Sequence, residues 1–424
     1  MVTSPEPAVA VIGLGYIGLP TAAVLASSGA SVTGVDISQI TVDAVNAGRL
    51  PFVEPELGTV LAGAVSQGTL RADTKVPQAD CFIIAVPTPF RNGETRGSKE
   101  PDLSYVEAAA TSIAPQLRGG ELVILESTAP PGATEFVART VLGLRPDLTL
   151  EAHQPGSVYF AHCPERVLPG RIMVELRTND RIVGAVNETA GERARDLYQL
   201  FCDGEILLTD ARTAELSKLT ENAFRDVNIA FANELSVIAD RVGVDVWELI
   251  ELANHHPRVN VLQPGPGVGG HCIAVDPWFI VSAAPDEARL IRSAREINDA
   301  KPEFVLNRVL PRAQRFRSPR IAALGLAFKA DIDDLRESPA MSIVAELADR
   351  VQEGTVLAVE PHIDALPEPL AAKGNVTLTP FEDAMREADI VLLLVDHTLF
   401  RNADPAELTR AEVFDTRGVW RTHR

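Results

Sequence analysis

Short apolar runs rich in β-branched residues alternate with helical patterns along the first half of the chain. That alternation is typical of an α/β fold with a parallel sheet. The runs that we interpret as strands are Ala8–Ile12, Ser31–Val35, Cys81–Val86, Glu121–Leu125 and Tyr159–His162. The N-terminal part of the chain is therefore predicted to form an α/β domain around a parallel sheet.

A helical pattern of unusual length runs from Thr209 to Val242 and contains neither glycine nor proline. It is much longer than a helix that merely crosses from one strand to the next. We expect it to link two domains and to offer a surface for dimerisation. A loop rich in proline and glycine, Gln263–Gly270, comes after it and leads into further helix.

The last part of the chain resembles the first in the order of its elements. Ile321–Leu324 leads into a glycine turn, and Val356–Val359 ends at an acidic residue, Glu360. We interpret this segment as a second Rossmann-like domain, and an unrelated α/β domain is the alternative. The expected α/β architecture is two Rossmann-like parallel-sheet domains joined by a long helix and a helical dimerisation region. The expected domain ranges are 1–208, 209–300 and 318–424.

Charge limits the kinds of partner that the protein can have. Lys and Arg number 39 and Asp and Glu 58, which gives a formal net charge of −19. Phosphate backbones and anionic membranes would be repelled over most of such a surface. We therefore expect no nucleic-acid and no membrane partner. A small anionic ligand held in a locally basic pocket is still compatible with this charge.

The uncharged stretch Ala8–Ala26 is long enough to cross a bilayer. Glycines and Pro20 interrupt it and no basic segment precedes it, so a strand, a turn and a helix explain it better than a membrane span. The four cysteines show no CxxC spacing and no HExxH motif occurs. These features favour a reducing compartment and argue against a metal site, so we expect a cytoplasmic protein without a bound metal.

A GxGxxG motif, Gly13-Leu14-Gly15-Tyr16-Ile17-Gly18, directly follows the first predicted strand. In that setting the first glycine permits a tight turn, the second lets the backbone approach a pyrophosphate, and the third lets helix and strand pack. Asp36 ends the second strand, where a carboxylate accepts hydrogen bonds from ribose hydroxyls and repels a 2′-phosphate. The motif thus predicts NAD and not NADP. A turn-forming role for Asp36 is the alternative.

Cys272 lies in a second glycine-rich segment, Gly265–Asp276. Small neighbours would let a substrate carbon approach the sulfur, and a helix beginning near His271 would lower the thiol pKa and favour thiolate. A small buried core residue is the alternative, and we apply that interpretation to the other three cysteines. Asp276 either caps a helix that begins at Pro277 or serves the same site as the cysteine.

Lys218, Asn222 and Arg225 fall at i, i+4 and i+7 of the long helical pattern and therefore share one face. A charged stripe of this kind is usually a solvated face. Here the neighbouring Phe224 and Phe231 favour a partly buried helix with a functional role.

Seven blocks of the sequence resemble the UDP-glucose/GDP-mannose dehydrogenase family and together extend over essentially the whole chain. They are VIGLGYIGLPTAA, ADCFIIAVPTPF, VILESTAPPGAT, AHCPERVLPGR, ELSKLTENAFRDVNIAFANELS, ANHHPRVNVLQPGPGVGGHCIAVDPWFIV and GLAFKADIDDLRESPA. The resemblance implies an enzyme that oxidises the C6 alcohol of a nucleotide sugar to a carboxylate, in a four-electron reaction with two NAD⁺. Cys272 matches the family's nucleophile, which passes through a thiohemiacetal and a thioester that water hydrolyses.

The same resemblance implies roles for the other catalytic candidates. Lys218 and Asn222 match residues that stabilise developing oxyanions. Asp276 and Thr128 match positions that order water near the thioester, and Glu165 matches a candidate base for hydrolysis. A strand-end hydroxyl for Thr128 and a surface carboxylate for Glu165 are the alternatives.

Binding residues are implied as well. The cofactor set is Gly13, Gly15, Tyr16, Ile17, Gly18, Asp36, Pro87, Thr88, Thr128 and Arg336. The substrate set is Glu165, Arg166, Val167, Lys218, Asn222, Arg225, Arg258, Gly269, Phe328 and Lys329. Arg258 matches an arginine that reaches the substrate of a neighbouring subunit, so a homodimer or a higher homo-oligomer is implied. Cationic side chains would supply the local positive charge that a pyrophosphate needs.

Pro169 and His271 stand where UDP-glucose-specific members commonly carry glutamate and serine, and both differences favour an N-acetylated sugar. The implied substrate is UDP-N-acetyl-D-mannosamine, oxidised to UDP-N-acetyl-D-mannosaminuronate for cell-envelope polysaccharide synthesis. UDP-N-acetyl-D-glucosamine is the alternative. The alternative of another class is an inactive regulator that binds NAD or nucleotide sugars, and the presence of every catalytic candidate argues against it.

Overall fold

The computed structural model describes residues 7–52, 54–91, 99–168, 170–270, 272–404 and 411–420. The chain divides into an N-terminal unit, Met1–Thr220, and a C-terminal unit, Glu221–Arg424. The division falls inside one long helix, Ala211–Val242.

An eight-stranded sheet forms the centre of the N-terminal unit. Its strands are β1 (Ala8–Ile12), β2 (Ser31–Val35), β3 (Leu70–Asp73), β4 (Cys81–Ile84), β5 (Leu122–Leu125), β6 (Tyr159–His162), β7 (Arg181–Ala185) and β8 (Ile206–Asp210). They lie in the order β3-β2-β1-β4-β5-β6-β7-β8, and neighbours are parallel except for β6 and β7. The predicted Rossmann-like domain is confirmed, and the antiparallel step at β7 is a feature that the apolar runs did not indicate.

The helices of this unit connect and cover the strands. They are α1 (Gly18–Ser27), α2 (Gln39–Asn46), α3 (Leu57–Gln67), α4 (Ser104–Ile113), α5 (Ala133–Leu144), α6 (Ile172–Thr178) and α7 (Glu188–Tyr198). The long helix α8 (Ala211–Val242) begins two residues later than the predicted Thr209. Thr209 pairs with Gly184 in the sheet, and Asp210 accepts a hydrogen bond from the Thr213 amide at 3.0 Å and so caps the helix.

The central strands of the eight-stranded sheet, β4, β5 and β6, are buried on both faces, which explains their continuous apolar runs. Phe82 and Phe160 pack on one face, and Ile83 and Ala161 on the other. The uncharged stretch at the N-terminus forms β1, the glycine turn and the buried α1. None of the helices in the described ranges combines the length and the apolar character needed to span a membrane.

A five-stranded parallel sheet forms the centre of the C-terminal unit, in the order β11-β10-β9-β12-β13. The strands are β9 (Arg320–Leu324), β10 (Thr355–Val359), β11 (Val376–Leu378), β12 (Ile390–Leu393) and β13 (Glu412–Asp415). The helices are α9 (Val246–Asn254), α10 (Asp276–Ala283), α11 (Arg289–Ala313), α12 (Pro339–Arg350), α13 (Glu368–Ala371), α14 (Phe381–Glu387) and α15 (Thr398–Arg401). The second predicted Rossmann-like sheet is therefore confirmed.

Buried polar contacts hold α8 against α11 within the C-terminal unit. Arg295 Nη1 lies 2.5 Å from Asp226 Oδ1, and Asn298 Nδ2 donates to the same oxygen at 2.8 Å. Asn233 donates to Asn298 Oδ1 and accepts from the Gly265 amide at 2.9 Å. These contacts fix the start of the glycine-rich segment that leads to Cys272.

Candidate active site

The glycine turn of the N-terminal unit has the geometry that a dinucleotide requires. Gly13 has φ of 95°, and a Cβ on it would lie 2.6 Å from the carbonyl oxygen of Ala85. A Cβ on Gly15 would meet no described atom within 4 Å, so the backbone there faces open space. α1 begins at Gly18, and no described side chain caps its N-terminus. The open space beside Gly15 and the positive end of α1 fit a pyrophosphate at the start of this helix.

Other predicted cofactor residues lie at the same edge of the sheet. Asp36 accepts a hydrogen bond from the Leu14 amide at 3.0 Å, which fixes its carboxylate beside the turn. Tyr16 stacks on Phe52 with ring centroids 4.1 Å apart, and Ile17 directly precedes α1. The acidic side chain at the end of β2 is thus placed where a ribose would meet it.

Thr88 and Thr128 are brought together after the carboxyl ends of β4 and β5. The Thr88 hydroxyl donates to the carbonyl oxygen of Thr128 at 2.7 Å, and the adjacent Pro87 is exposed. Ligands of open α/β sheets bind at this edge. The contact joins two predicted cofactor residues, one of which is also a catalytic candidate.

Glu215 holds the loop that contains Thr128 against the first turns of α8. Its buried carboxylate accepts hydrogen bonds from the Gly132 amide at 2.6 Å and from the amide and hydroxyl of Thr134 at 2.7 and 2.6 Å. A carboxylate at the start of α5 satisfies unpaired amides and the positive end of the helix. Lys218, half-buried, comes one turn after Glu215 on α8. The Glu215 side chain was not singled out by the sequence analysis.

Glu165 is buried and ion-paired in the N-terminal unit. Its Oε2 lies 3.1 Å from Nη2 of buried Arg181, and its Oε1 accepts from the Arg166 amide at 2.7 Å. The Arg181 guanidinium lies over the rings of Tyr198 and Phe201, 4.7 and 5.0 Å from the centroids. The surface carboxylate that we gave as the alternative for Glu165 is therefore wrong. Arg166 and Val167, which follow it, are half-buried.

Glu126 is a second buried carboxyl in this network and directly follows β5. It accepts hydrogen bonds from the Tyr198 hydroxyl at 2.7 Å and from the Thr21 hydroxyl of α1 at 3.2 Å. Burial raises the pKa of the Glu126 carboxyl to about 7, and the charge of Glu165 adds to this rise while that of Arg181 opposes it. Near neutral pH this carboxyl therefore titrates inside the protein.

Replacing Glu126 with glutamine should stabilise the protein above pH 7. In the unfolded chain the Glu126 carboxyl has its ordinary pKa of 4.5, whereas in the folded protein its pKa is about 7. The contribution of Glu126 to stability is therefore greatest below pH 4.5 and is lost as the pH rises to 7, at a cost of about 3 kcal/mol. Denaturant unfolding at pH 5 and pH 8 measures the effect. We expect Glu126→Gln to gain about 1–3 kcal/mol at pH 8 and little at pH 5.

The exposed residue Glu192 on α7 offers a matched control. Glu192→Gln should change the free energy of unfolding equally little at both pH values. A Glu126→Gln protein that loses stability at pH 8 would contradict the assignment of a raised pKa to this carboxyl.

Cys272 is exposed in the C-terminal unit, whereas Cys81, Cys163 and Cys202 are buried. The Cys272 carbonyl accepts hydrogen bonds from the amides of Val275 and Asp276 at 3.0 and 2.8 Å. The helix whose beginning we considered near His271 is α10, and it begins at Asp276, four residues after Cys272. The turn at residues 272–275 precedes the helix because these two bonds close it tightly on Cys272.

Asn222 and Asp276 are in direct contact. Asn222 Nδ2 donates to Asp276 Oδ2 at 2.5 Å, and both side chains are buried. Asp276 is the first residue of α10 and Val275 stands at its N-cap, so the helix begins one residue earlier than the capping role for Asp276 assumes. The structure thus joins two predicted catalytic residues, one on α8 and one four positions after Cys272.

The glycines before Cys272 are required by close packing. A Cβ on Gly269 would lie 2.7 Å from Phe328 Cβ, and one on Gly270 would lie 3.1 Å from the Phe328 ring. The Gly270 amide also donates to the carbonyl oxygen of Arg336 at 3.3 Å. Gly269 and Phe328, two predicted substrate residues, can therefore pack this closely only because residue 269 has no side chain.

A pocket of about 280 Å³ opens at the carboxyl ends of β9 and β12 in the C-terminal unit. Phe328, Lys329, Arg401 and Arg417 line it together with Asp396, glycine-loop residues and small apolar side chains. Asp396 pairs with Arg401 at 2.5 Å and with Arg417 at 3.0 Å. Burial alone would raise the pKa of Asp396, but the charges of Arg417 and Arg401 lower it below its usual value. The pocket thus carries an excess of positive charge.

The remaining predicted residues are exposed arginines of the C-terminal unit. Arg225 lies on α8, Arg258 follows α9, and the Arg336 guanidinium pairs with Asp334 at 2.6 Å. Pro169 and His271, on which the expectation of an N-acetylated sugar partly depends, lie outside the described residues.

Three side chains in the described part of the C-terminal unit carry metal-type ligand atoms within 4.8 Å of one another: Asp331, His362 and His397. His397 Nδ1 accepts from the Asp331 amide at 2.9 Å, and its Nε2 contacts Glu360 at 3.1 Å. Because both ring nitrogens already have partners, the cluster fits a hydrogen-bond network better than a metal centre.

Arg401, Arg417 and Asp396 of the pocket were missed by the sequence analysis. Asp396 follows β12 closely, and that strand end was the available signal. No spacing in the sequence links Arg417 to Asp396, since their contact arises only when β12 and β13 pair.

Three domain models of the UDP-glucose/GDP-mannose dehydrogenase family match this chain. The NAD binding domain matches residues 7–202, the central domain residues 212–300, and the UDP binding domain residues 322–422. The predicted NAD cofactor is confirmed by the first of these matches.

Relatives with extensive similarity carry two kinds of name. An NDP-N-acetyl-D-galactosaminuronic acid dehydrogenase of Ralstonia nicotianae is 59% identical over 98% of this chain and 97% of its own. A UDP-N-acetyl-D-mannosamine dehydrogenase of Salmonella typhi is 54% identical over 97% of this chain and 99% of its own. The structure of the UDP-D-ManNAc dehydrogenase from Pyrococcus horikoshii matches with a TM-score of 0.85 and 39% identity over 98% of this chain and 96% of that one. The chain belongs to the UDP-glucose/GDP-mannose dehydrogenase family and is an NAD-dependent nucleotide-sugar dehydrogenase.

Proposed function

We propose that this enzyme oxidises the C6 alcohol of UDP-N-acetyl-D-mannosamine to the carboxylate, which gives UDP-N-acetyl-D-mannosaminuronate for cell-envelope polysaccharide synthesis. The observation that carries the proposal is the exposed Cys272, which begins a tight turn that ends at Asp276, and Asp276 accepts a hydrogen bond from Asn222. The similarity to UDP-N-acetyl-D-mannosamine dehydrogenases supports the choice of sugar.

In the proposed reaction Cys272 acts as a covalent nucleophile. NAD⁺, when bound, accepts a hydride in each of the two oxidations. The sulfur adds to the C6 aldehyde formed in the first oxidation. The resulting thiohemiacetal becomes a thioester when its C–H hydrogen leaves as hydride and its hydroxyl proton is released to solvent. Water then attacks the thioester carbon, and the C–S bond breaks to release the carboxylate and the thiol. Exposure of the thiol is required because the aldehyde carbon must come within bonding distance of it.

Oxyanion stabilisation and hydrolysis are assigned to the polar residues of the proposed site. Lys218 and Asn222 offer a cation and an amide donor for the negative oxygen that develops at C6. By the family resemblance, Asp276 and Thr128 would order the attacking water and Glu165 would accept its proton. Because Asn222 donates to Asp276, the pair is held in one arrangement before substrate arrives.

The nucleotide of the substrate is assigned to the pocket at the ends of β9 and β12. Lys329, Arg401 and Arg417 supply positive charge for a pyrophosphate, and the ring of Phe328 offers an apolar surface. Arg336 and Gly269 lie on the adjoining loops, and their contacts with Gly270 and Phe328 hold the loops together. The cationic lining supports a doubly charged diphosphate despite the net charge of −19.

A second candidate product is an NDP-N-acetyl-D-galactosaminuronic acid. The Ralstonia nicotianae relative, which is 59% identical, carries that name. NAD⁺ reduction with UDP-N-acetyl-mannosamine, -galactosamine and -glucosamine, and with UDP-glucose, separates the candidates. We expect the highest kcat/KM with the manno sugar. A preference for the galacto or the gluco sugar would overturn the proposed substrate but leave the reaction class intact.

We further propose a homodimer formed through α8. Phe224, Phe231 and Ile238 repeat every seven residues and are 69%, 53% and 50% exposed. Such a stripe is the seam by which helices of two chains pack. In the dimer Arg258 would reach the substrate of the partner subunit.

Replacing Phe231 with glutamate should convert this dimer to monomers in sedimentation velocity, because the charge would be buried in the seam. Phe316→Glu, at an exposed phenylalanine outside α8, is the matched control and should leave the dimer intact. A Phe231→Glu protein that sediments as a dimer would contradict the proposed interface.

A further inference from the structure

One hydrogen-bond network encloses the loop of residues 326–331 at both of its ends. Glu360 Oε2 accepts from the amides of Leu326 and Ala327 at 2.7 and 3.0 Å. His397 Nδ1 accepts from the Asp331 amide at 2.9 Å, and its Nε2 contacts Glu360 Oε2 at 3.1 Å. Both side chains are buried. We call Glu360 and His397 the loop clamp.

The loop and the helix next to it carry two cations of the pocket. Phe328 and Lys329 lie inside the enclosed segment. The Asp331 carboxylate accepts from the amide and hydroxyl of Thr398 at 2.8 and 2.7 Å, which caps α15, and α15 ends at Arg401. The loop clamp and Asp331 therefore fix the positions of Lys329 and Arg401 without lining the pocket themselves.

The clamp also distinguishes the two glycine turns of the chain. In the N-terminal unit the backbone at Gly15 faces open space, as a pyrophosphate requires. In the C-terminal unit Ala327 stands at the corresponding position, and its amide donates to Glu360. The preceding amides are bonded alike in the two turns, that of Leu14 to Asp36 and that of Leu326 to Glu360. Burial alone would raise the pKa of Glu360, but the contact with His397 and the two amides lower it, so the accepting carboxylate form is favoured. Positive charge for a ligand must then come from side chains.

We infer that Glu360 and His397 are positioning residues for nucleotide binding, which hold the loop that presents Lys329 to a diphosphate. The inference rests on the proposed function, since it takes the pocket as the nucleotide site. A preorganised loop binds more tightly because its ordering is completed before the ligand arrives. Loss of either clamp residue should thus weaken binding of the nucleotide and leave the cofactor site unchanged.

Glu360→Gln tests the first half of the clamp. It replaces one of the two acceptor oxygens by a donor group of the same shape. The three donors that meet Oε2 and the His362 amide that meets Oε1 then can no longer all find an acceptor. We expect the Kd for UDP, measured by calorimetry, and the KM for the nucleotide sugar to rise about tenfold to a hundredfold. The kcat at saturation and the Kd for NADH should change less than about threefold. Glu382→Gln, at an exposed acid of the same unit, is the control.

Two variants of His397 separate the ends of the clamp. His397→Asn retains an acceptor near the position of Nδ1, whereas His397→Gln retains a donor near Nε2. Each should weaken UDP binding. In the double variant His397→Gln/Glu360→Gln, the loss of binding free energy for UDP should be smaller than the sum of the losses in the two single variants, because both residues act on one loop. If Glu360→Gln does not fold, the His397 variants carry the same comparison.

Two results would overturn the inference. One is a Kd for UDP that stays within about twofold of the wild-type value in the folded variants. The other is a loss of UDP binding free energy in the double variant that equals the sum of the losses in the two single variants. A wild-type protein that does not bind UDP while it binds NADH would instead overturn the proposed substrate class. The two failures are therefore distinguishable in one set of titrations.

Discussion

Cys272→Ala should abolish formation of the uronate and lower kcat by on the order of 10⁴-fold or more, because no other described side chain can form the thioester. Cys272 is the exposed cysteine of the described chain, and the other three are buried. Its removal takes away no core packing, so the variant should fold normally and bind NADH as the wild type does. Turnover of the nucleotide sugar and NADH fluorescence titration measure the two effects.

Cys202→Ala is the matched control for this variant. Cys202 is buried in the N-terminal unit and contacts the carbonyl oxygens of Asn179 and Gly204. Its replacement should lower stability without removing activity. Full turnover by the Cys272→Ala protein would rule out the covalent mechanism, and unchanged NADH binding without any wild-type turnover would favour the inactive regulator.

Arg295→Met should destabilise the protein by about 3–5 kcal/mol, because it leaves Asp226 as an uncompensated buried charge. Arg295 is 1% exposed and Asp226 is fully buried, and they are 2.5 Å apart. Burial raises the pKa of Asp226, and the charge of Arg295 and the hydrogen bond from Asn298 oppose that rise. Without Arg295 the carboxyl should protonate at a higher pH still. The loss, measured by denaturant unfolding, should therefore be smaller at pH 5 than at pH 8.

Two further variants define the origin of this effect. Asp226→Leu combined with Arg295→Met removes both charges and should recover most of the lost stability. Arg350→Met breaks exposed pairs with Glu303 and Glu346 and should change the free energy of unfolding far less. An Arg295→Met protein as stable as the wild type would show that the buried pair does not hold α8 against α11.

The fold could be predicted largely from the sequence because its strongest signals are local. The apolar runs of β1, β2 and β5 and the glycine turn at Gly13 depend on neighbours within a few residues. The antiparallel β7 escaped prediction because its direction is set by pairing with β6, not by its own pattern. Likewise Thr209 fits a helical pattern, yet its pairing with Gly184 places it in β8.

The residues of the candidate site could be predicted where they belong to a sequence motif. Contacts between side chains that are far apart in the sequence could not. Asn222 and Asp276 were both candidates, but their hydrogen bond joins positions 54 apart in the chain. Arg181, which pairs with Glu165, and Arg417, which pairs with Asp396, carry no local signature. The start of α10 at Asp276 depends on the two bonds to the Cys272 carbonyl, which composition alone does not specify.

The number of NADH molecules formed per molecule of limiting UDP-N-acetyl-D-mannosamine tests the central claim most directly. Wild-type protein with excess NAD⁺ should be followed to completion by absorbance, and the uronate quantified in the same sample. A four-electron oxidation through the Cys272 thioester predicts two NADH and one uronate for each sugar consumed. One NADH per sugar, with the aldehyde as the product, would contradict the account.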